Sequence, residues 1–235
     1  MRRPTSEERF TRHFVHFFIG WAEFAWNLVR QTPYKDSSEV GMKGLAFWLV
    51  LGVPGLLCAQ QAPEGSAQQG FISGGTIRLH LEAGGYTVSP GDSESIVVTC
   101  HARTDEQLRH IKVEIKRTAA SADVYVSDTP NNNFRGIIEV PRRSNLWARL
   151  SAGELVVGDV EGDKNLEVRA GRIQVDVPHS EQYGHRDASV LTGSIEASAF
   201  DVSKGGLFRS FDQHGPGKYR LHAHVMAGEI DLSGN

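Results

Sequence analysis

One short phrase recurs along the chain and limits what it can fold into: Ala83-Gly84-Gly85-Tyr86, Ala152-Gly153-Glu154-Leu155, Ala170-Gly171-Arg172-Ile173, Thr192-Gly193-Ser194-Ile195 and Ala227-Gly228-Glu229-Ile230. Apolar residues alternate on both sides of each glycine. Before it they run back in twos, as in Ala170, Val168 and Leu166; after it they run forward, as in Ile173 and Val175. Residues on one face of a straight strand stand an even number apart, yet Ala170 and Ile173 are three apart. The chain must bend or bulge at the glycine, the residue that tolerates backbone conformations in which a Cβ would clash. Gly84, Gly153, Gly171, Gly193 and Gly228 are therefore the expected corners of a repeated strand-corner-strand unit. From Gly153 onward the corners follow at intervals of 18, 22 and 35 residues. Periods near twenty mean units that bury their apolar face only by stacking on neighbours. The expected fold is a single all-β domain, a β-solenoid or right-handed β-helix-like stack.

The same alternation continues outside the phrase, in Ile77, Leu79, Leu81; Ile111, Val113, Ile115; Val124, Val126; and Leu146, Ala148, Leu150. The stretch from Ile96 to Val140 lacks the phrase and reads as a meander of strands, an antiparallel cap or sheet, with turn signals at Pro90-Gly91-Asp92 and Asn131-Asn132-Asn133. A single helical turn is expected from Thr104 to His110, with Thr104 as cap and Gln107 at the capping-box position. The long last interval is attributed to a loop from Phe208 to Lys218.

Several motifs together resemble the bacterial putative-adhesin family, once a domain of unknown function. They are the Gly74-Gly75 opening, Val140-Pro141 followed by Asn145-Leu146, the serial phrases, and the closing Gly217-Lys218-Tyr219-Arg220-Leu221 with Ala227 to Leu232. The resemblance spans residues 72 to 233 and implies the β-solenoid fold and a role in surface adhesion. It brings no catalytic residues. The 35-residue interval departs from even spacing, which bears on the regularity of the stack.

Ten of the twenty aromatic residues lie between Phe10 and Trp48, so the first quarter differs in kind from the rest. Within it, Lys43 precedes an apolar run from Leu45 to Ala59 that would reach roughly 22 Å as a helix, against a hydrocarbon core of about 30 Å. A basic residue, a short apolar run, the Pro54-Gly55 break and a small residue before a polar stretch fit a signal peptide over 42–59, cleaved between Ala59 and Gln60. Leu57 is larger than the cleavage pattern prefers, and it also stands where a lipobox before Cys58 carries a small residue. Residues 1–41 hold five acidic side chains and are long for an n-region. Two readings stand: translation starting at Met42, or an amphipathic segment from Phe10 to Val29 lying on a membrane. Residues 60–72 read as a polar linker and 73–235 as the folded domain.

Charge and cysteine content exclude further classes. The first 59 residues hold 7 of the 25 basic and 5 of the 28 acidic side chains, so the remainder carries 18 against 23, a net of −5. A nucleic-acid module shows a basic stripe, and none is present. Beyond Ala59 the only cysteine is Cys100, so an exported form has no internal disulfide. Cys100 sits in an apolar strand, where a buried, inert thiol is expected.

Other candidate chemistry is sparse. His222-Ala223-His224 has the strand spacing of a zinc pair, but no third ligand is signalled, and alternation makes both outward residues like Arg78 and His80; no metal or other cofactor is expected. Glu154, Glu196, Glu229 and Asp231 are outward carboxylates, and Glu154 and Arg172 hold equivalent places in neighbouring units, which suits cross-strand pairing. No nucleophile elbow, phosphate loop or Cys-x-x-Cys occurs.

The expected protein is non-enzymatic and exported, to a periplasm, outer envelope or exterior. It binds, adheres or scaffolds through a repetitive β surface whose contacts would include Trp147, Arg149, Arg169, Gln174, Glu196 and His224. Its partner would be a protein or glycan of the envelope, with membrane contact only through an uncleaved N-terminal segment and self-association through edge strands open. The alternatives are a carbohydrate-active enzyme using the outward acids and a structural envelope component without ligand.

Overall fold

The computed structural model describes residues 65–234. Readings placed on the N-terminal extension, the signal peptide with its Ala59–Gln60 cleavage, and Cys58 lie outside the described residues. The described chain is all-β with a mixed sheet. Its strands are β1 (Ser66–Gly70), β2 (Thr76–Leu81), β3 (Gly84–Gly91), β4 (Ser95–His101), β5 (Lys112–Arg117), β6 (Ser121–Ser127), β7 (Arg135–Pro141), β8 (Asn145–Val157), β9 (Lys164–Asp176), β10 (Tyr183–Ala197), β11 (Val202–His214) and β12 (Tyr219–Ser233). The helix α1 (Asp105–His110) follows the expected turn, and Thr104 Oγ1 accepts from the Gln107 amide at 3.3 Å.

Parallel pairing builds a series of layers, each with a segment on either side of a corner. The β2/β3 layer stacks on β8, then come β9, β12 and β10. On the other side of β2/β3 lies a layer made of β6 and β7. Apart from one shift between Tyr183 and His185 at the start of β10, the register continues from layer to layer, so the inward residues form straight columns such as Leu79, Ala148, Leu166, Ala223 and Ala188, all fully buried or nearly so. Full burial of a Val, Leu or Ile contributes about 1.5–3 kcal/mol, and these columns supply most of the core.

The glycines lie in their own column. Gly84 aligns with Gly153, Gly153 with Gly171, Gly171 with Gly228 and Gly228 with Gly193. All five have positive φ, and a Cβ on Gly153 would run into the Gly84 carbonyl oxygen, with the same relation repeated up the column. The phase slip takes one form throughout. The inward residues flanking the corner are Leu81/Tyr86, Leu150/Leu155, Val168/Ile173, Val190/Ile195 and Val225/Ile230, each pair five apart.

Five differences from the sequence reading have physical causes. The alanine of the phrase is not inward: Ala170 and Ala227 are exposed, because the slip begins one residue before the glycine. Chain order and stacking order also part, since β12 inserts between β9 and β10. The stretch Phe208 to His214 is strand, not loop; it belongs to β11, which runs antiparallel to β10 and closes that end. Ile96 to Val140 is only partly a meander. Its β5 and β4 are antiparallel to β6 and β7, while β6 and β7 join the parallel stack. Finally, Ser66–Gly70, within the stretch read as linker, pairs with β4 as β1.

Candidate functional site

The outward residues that precede the corners lie in two aligned rows. One runs Asp123, Arg78, Trp147, Asn165, His222, Asp187; the other runs Tyr125, His80, Arg149, Glu167, His224, Ser189. Because each side chain stands beside its register partners, opposite charges and rings pair between layers. Arg149 Nε donates to Glu167 Oε2 at 2.9 Å, and its guanidinium lies 4.5 Å over the Trp147 ring. His80 stacks on Tyr125 with ring centroids 4.5 Å apart and leans toward Trp147 at 5.3 Å.

Two grooves open on this face. One, of about 510 Å³, is lined by His80, Arg149, Glu167, Arg169, His224 and Met226. The other, of about 430 Å³, lies toward the strand starts, among Asn165, His185, Asp187, Arg220 and His222. The six anticipated contact residues divide between two faces. Trp147, Arg149, Arg169 and His224 share the grooved face; Gln174 and Glu196 lie past the corner, aligned with Asp231 between them. There Ser203 Oγ donates to Glu196 Oε1 at 2.8 Å.

Arg172, expected to pair with Glu154, ion-pairs with Glu229 on its other side. Glu154 and Glu229 flank it in register, and Arg172 Nη2 binds Glu229 Oε2, which raises the guanidinium pKa. His222 and His224 do project from one face, but each turns to a neighbouring strand. His222 Nδ1 donates to Asp187 Oδ2 at 2.5 Å, and His224 Nδ1 shares a hydrogen bond with Ser189 Oγ at 2.8 Å.

Three features escaped the sequence reading. Lys164 occupies an inward column between Leu146 and Leu221 and is 2% exposed. Its ammonium donates to Val160 O at 2.5 Å and to Tyr183 Oη, and burial lowers its pKa to about 8 despite nearby Asp159, Asp163 and Glu161. Burial likewise holds the Tyr183 phenol far above its ordinary range. No signal marked Lys164, because a lone lysine before an alternating run reads as a strand start. The second feature is an exposed apolar row of Met226, Leu191 and Phe208, which stand side by side, just before the corner glycine in β12 and β10 and just after Gly206 in the antiparallel β11. The third is a His/Asp cluster drawn from His185-Arg186-Asp187 and Asp212-Gln213-His214. Its signal in the sequence is the pair of His/Asp sites spaced two apart, and reading Phe208 to Lys218 as a loop hides the second. Cys100 is buried, as expected, and burial raises its thiol to about 11.

No family model and no curated protein matches the chain. Among solved structures it is similar to a putative cell adhesion protein from Clostridium sporogenes, with 11% identity over 72% of this chain and 99% of that one, at a TM-score of 0.47. At that distance the likeness assigns neither family nor activity.

Proposed function

We propose that this chain is an exported, non-enzymatic binding protein of the cell envelope or exterior, and that its layers form a β-solenoid presenting the grooved face to a protein or glycan. The observation that carries this reading is the register. In-register parallel layers hold Trp147, Arg149, Glu167 and His224 in fixed rows without flexible loops, and a rigid surface loses little entropy on binding. Rings with charged neighbours, as at Trp147 and Arg149, suit sugar or peptide contact. Export rests on the 42–59 segment; among the described residues no helix is long and apolar enough to cross a membrane.

Two measurements test it. The N-terminal peptide of the natively expressed protein, found by mass spectrometry, should begin near Gln60 in an envelope or secreted fraction; Met1 in the cytoplasm would remove export. On immobilised oligosaccharides and envelope proteins, retention without turnover is expected. Retention should fall about tenfold or more on Trp147→Ala, the range of a central interface aromatic. Product formation that disappears with Glu196→Gln or Asp231→Asn would replace the binder with a carbohydrate-active enzyme. Equal retention by Trp147→Ala would move the contact off this face.

A further inference from the structure

The closing strands carry side chains whose arrangement is unexplained by a binding surface alone. In the β10–β11 register, His185 stands opposite His214 and Asp187 opposite Asp212. Like charges directly opposite across a strand pair are destabilising, so the two aspartates call for a cation between or beside them. The side chains bring three donor atoms together there, and because the His185 and His214 rings stack with centroids 4.5 Å apart and planes at 15°, one ring must turn before both can direct a lone pair at the same ion. His185 Nε2 lies 3.1 Å and His214 Nδ1 3.4 Å from the same oxygen, Asp212 Oδ1, and the three donor atoms fall within 4.8 Å of one another. In a tetrahedral zinc site with bonds of about 2.0–2.1 Å, neighbouring donor atoms stand about 3.3 Å apart.

We propose that His185, Asp212 and His214 form a site for a divalent transition-metal ion of the zinc type. Two imidazoles and a carboxylate are the donor set such ions take, and three protein ligands leave a position for water or a ligand oxygen. The Asp187–His222 pair lies beside it, with Asp187 Oδ1 3.9 Å from His185 Nε2. Arg220 opposes the ion. Its Nη2 donates to His185 Nδ1 at 3.3 Å, which leaves the ring proton on Nε2, facing Asp212. An ion at Nε2 moves that proton to Nδ1, against the guanidinium, so Arg220 must swing away for the metal to bind. The site is independent of the adhesion reading.

The test is zinc binding by the untagged full chain as its host processes it, in competition with a chromophoric chelator. One equivalent is expected. His214→Ala and Asp212→Asn, both on an exposed edge strand, should each weaken it at least about tenfold while circular dichroism stays unchanged, and Arg220→Gln should bind as tightly as the parent or tighter. Absence of binding, or zinc binding indifferent to His214→Ala and Asp212→Asn, overturns the proposal. So does equal weakening by Arg220→Gln, because losing a cation favours metal binding by charge alone, and weakening would mean that any change at this end of the sheet disturbs the binding.

Discussion

Lys164 is the residue at which this fold departs furthest from a plain apolar column. A lysine amine in the interior is tolerated only when its donors are met, and here Val160 O and Tyr183 Oη meet two of them. The amine's folded pKa of about 8 lies below the ordinary value of 10.5. Below about pH 8 both folded and unfolded chains hold the proton, and the folded state bears the full cost of the buried charge. Between about 8 and 10.5 the unfolded chain holds more protons, so stability rises with pH through that window. The gain is on the order of 3 kcal/mol by the usual 1.36 kcal/mol per pKa unit. Cys100 and the buried tyrosines act the other way above about pH 9, because their folded pKa values are raised. The contribution of Lys164 is therefore read as a difference. Urea unfolding of the parent and of Lys164→Met, compared from pH 7 to 10, should show the parent gaining on the variant as pH rises. A constant difference would mean that the amine is not held against its charge.

At the scale of the element, the corner glycine governs whether one layer can lie on the next. Gly153 combines a φ of 124° with a neighbour's carbonyl where its Cβ would sit, whereas Gly74 has a φ of 83° and open space around it. Backbone strain of about 1–3 kcal/mol is common to alanine at either position. Only Gly153→Ala must also push two layers apart, so it should lower the urea midpoint well beyond Gly74→Ala; similar losses would place the requirement in φ alone. The repeated phrase made this element legible, because a five-residue step between inward residues leaves a mark in sequence. What the phrase could not carry was the order of layers. Gly193 and Gly228 both fit the column, and nothing in Thr192-Gly193-Ser194-Ile195 says that Ala227-Gly228-Glu229-Ile230 will lie beneath it. Strand β11 was illegible for a different reason: it caps the stack with Phe211 as its only buried residue, so it lacks the alternation by which strands are recognised. The His/Asp cluster was lost with it, since its two halves meet only when β11 is a strand.

The two ends of the stack are protected differently, and this asymmetry bears on how whole molecules meet. At one end β5 presents Lys112, Glu114, Lys116 and Arg117, and β1 is only five residues long; charge and brevity both discourage an edge from pairing with another chain. At the other end β11 is thirteen residues long and leaves Leu207 and Phe208 63% and 77% exposed, beside Leu191 and Met226. Its two cationic side chains serve the strand itself: Lys204 Nζ donates to Ser210 O at 2.8 Å and Arg209 Nε to Gly205 O at 2.9 Å. A second chain approaching this edge must displace those donors, and burial of the apolar row is the gain that offsets the loss. Self-association is therefore expected through β11 and not through β5. Size-exclusion chromatography over a range of concentrations should show the apparent mass rising with concentration, and Phe208→Lys should hold the chain at the monomer position, whereas Val113→Lys on β5 should leave the rise intact if the variant folds. A parent that elutes as a monomer throughout would mean that the two folded-back cations suffice to guard the edge, and that the apolar row faces a different partner.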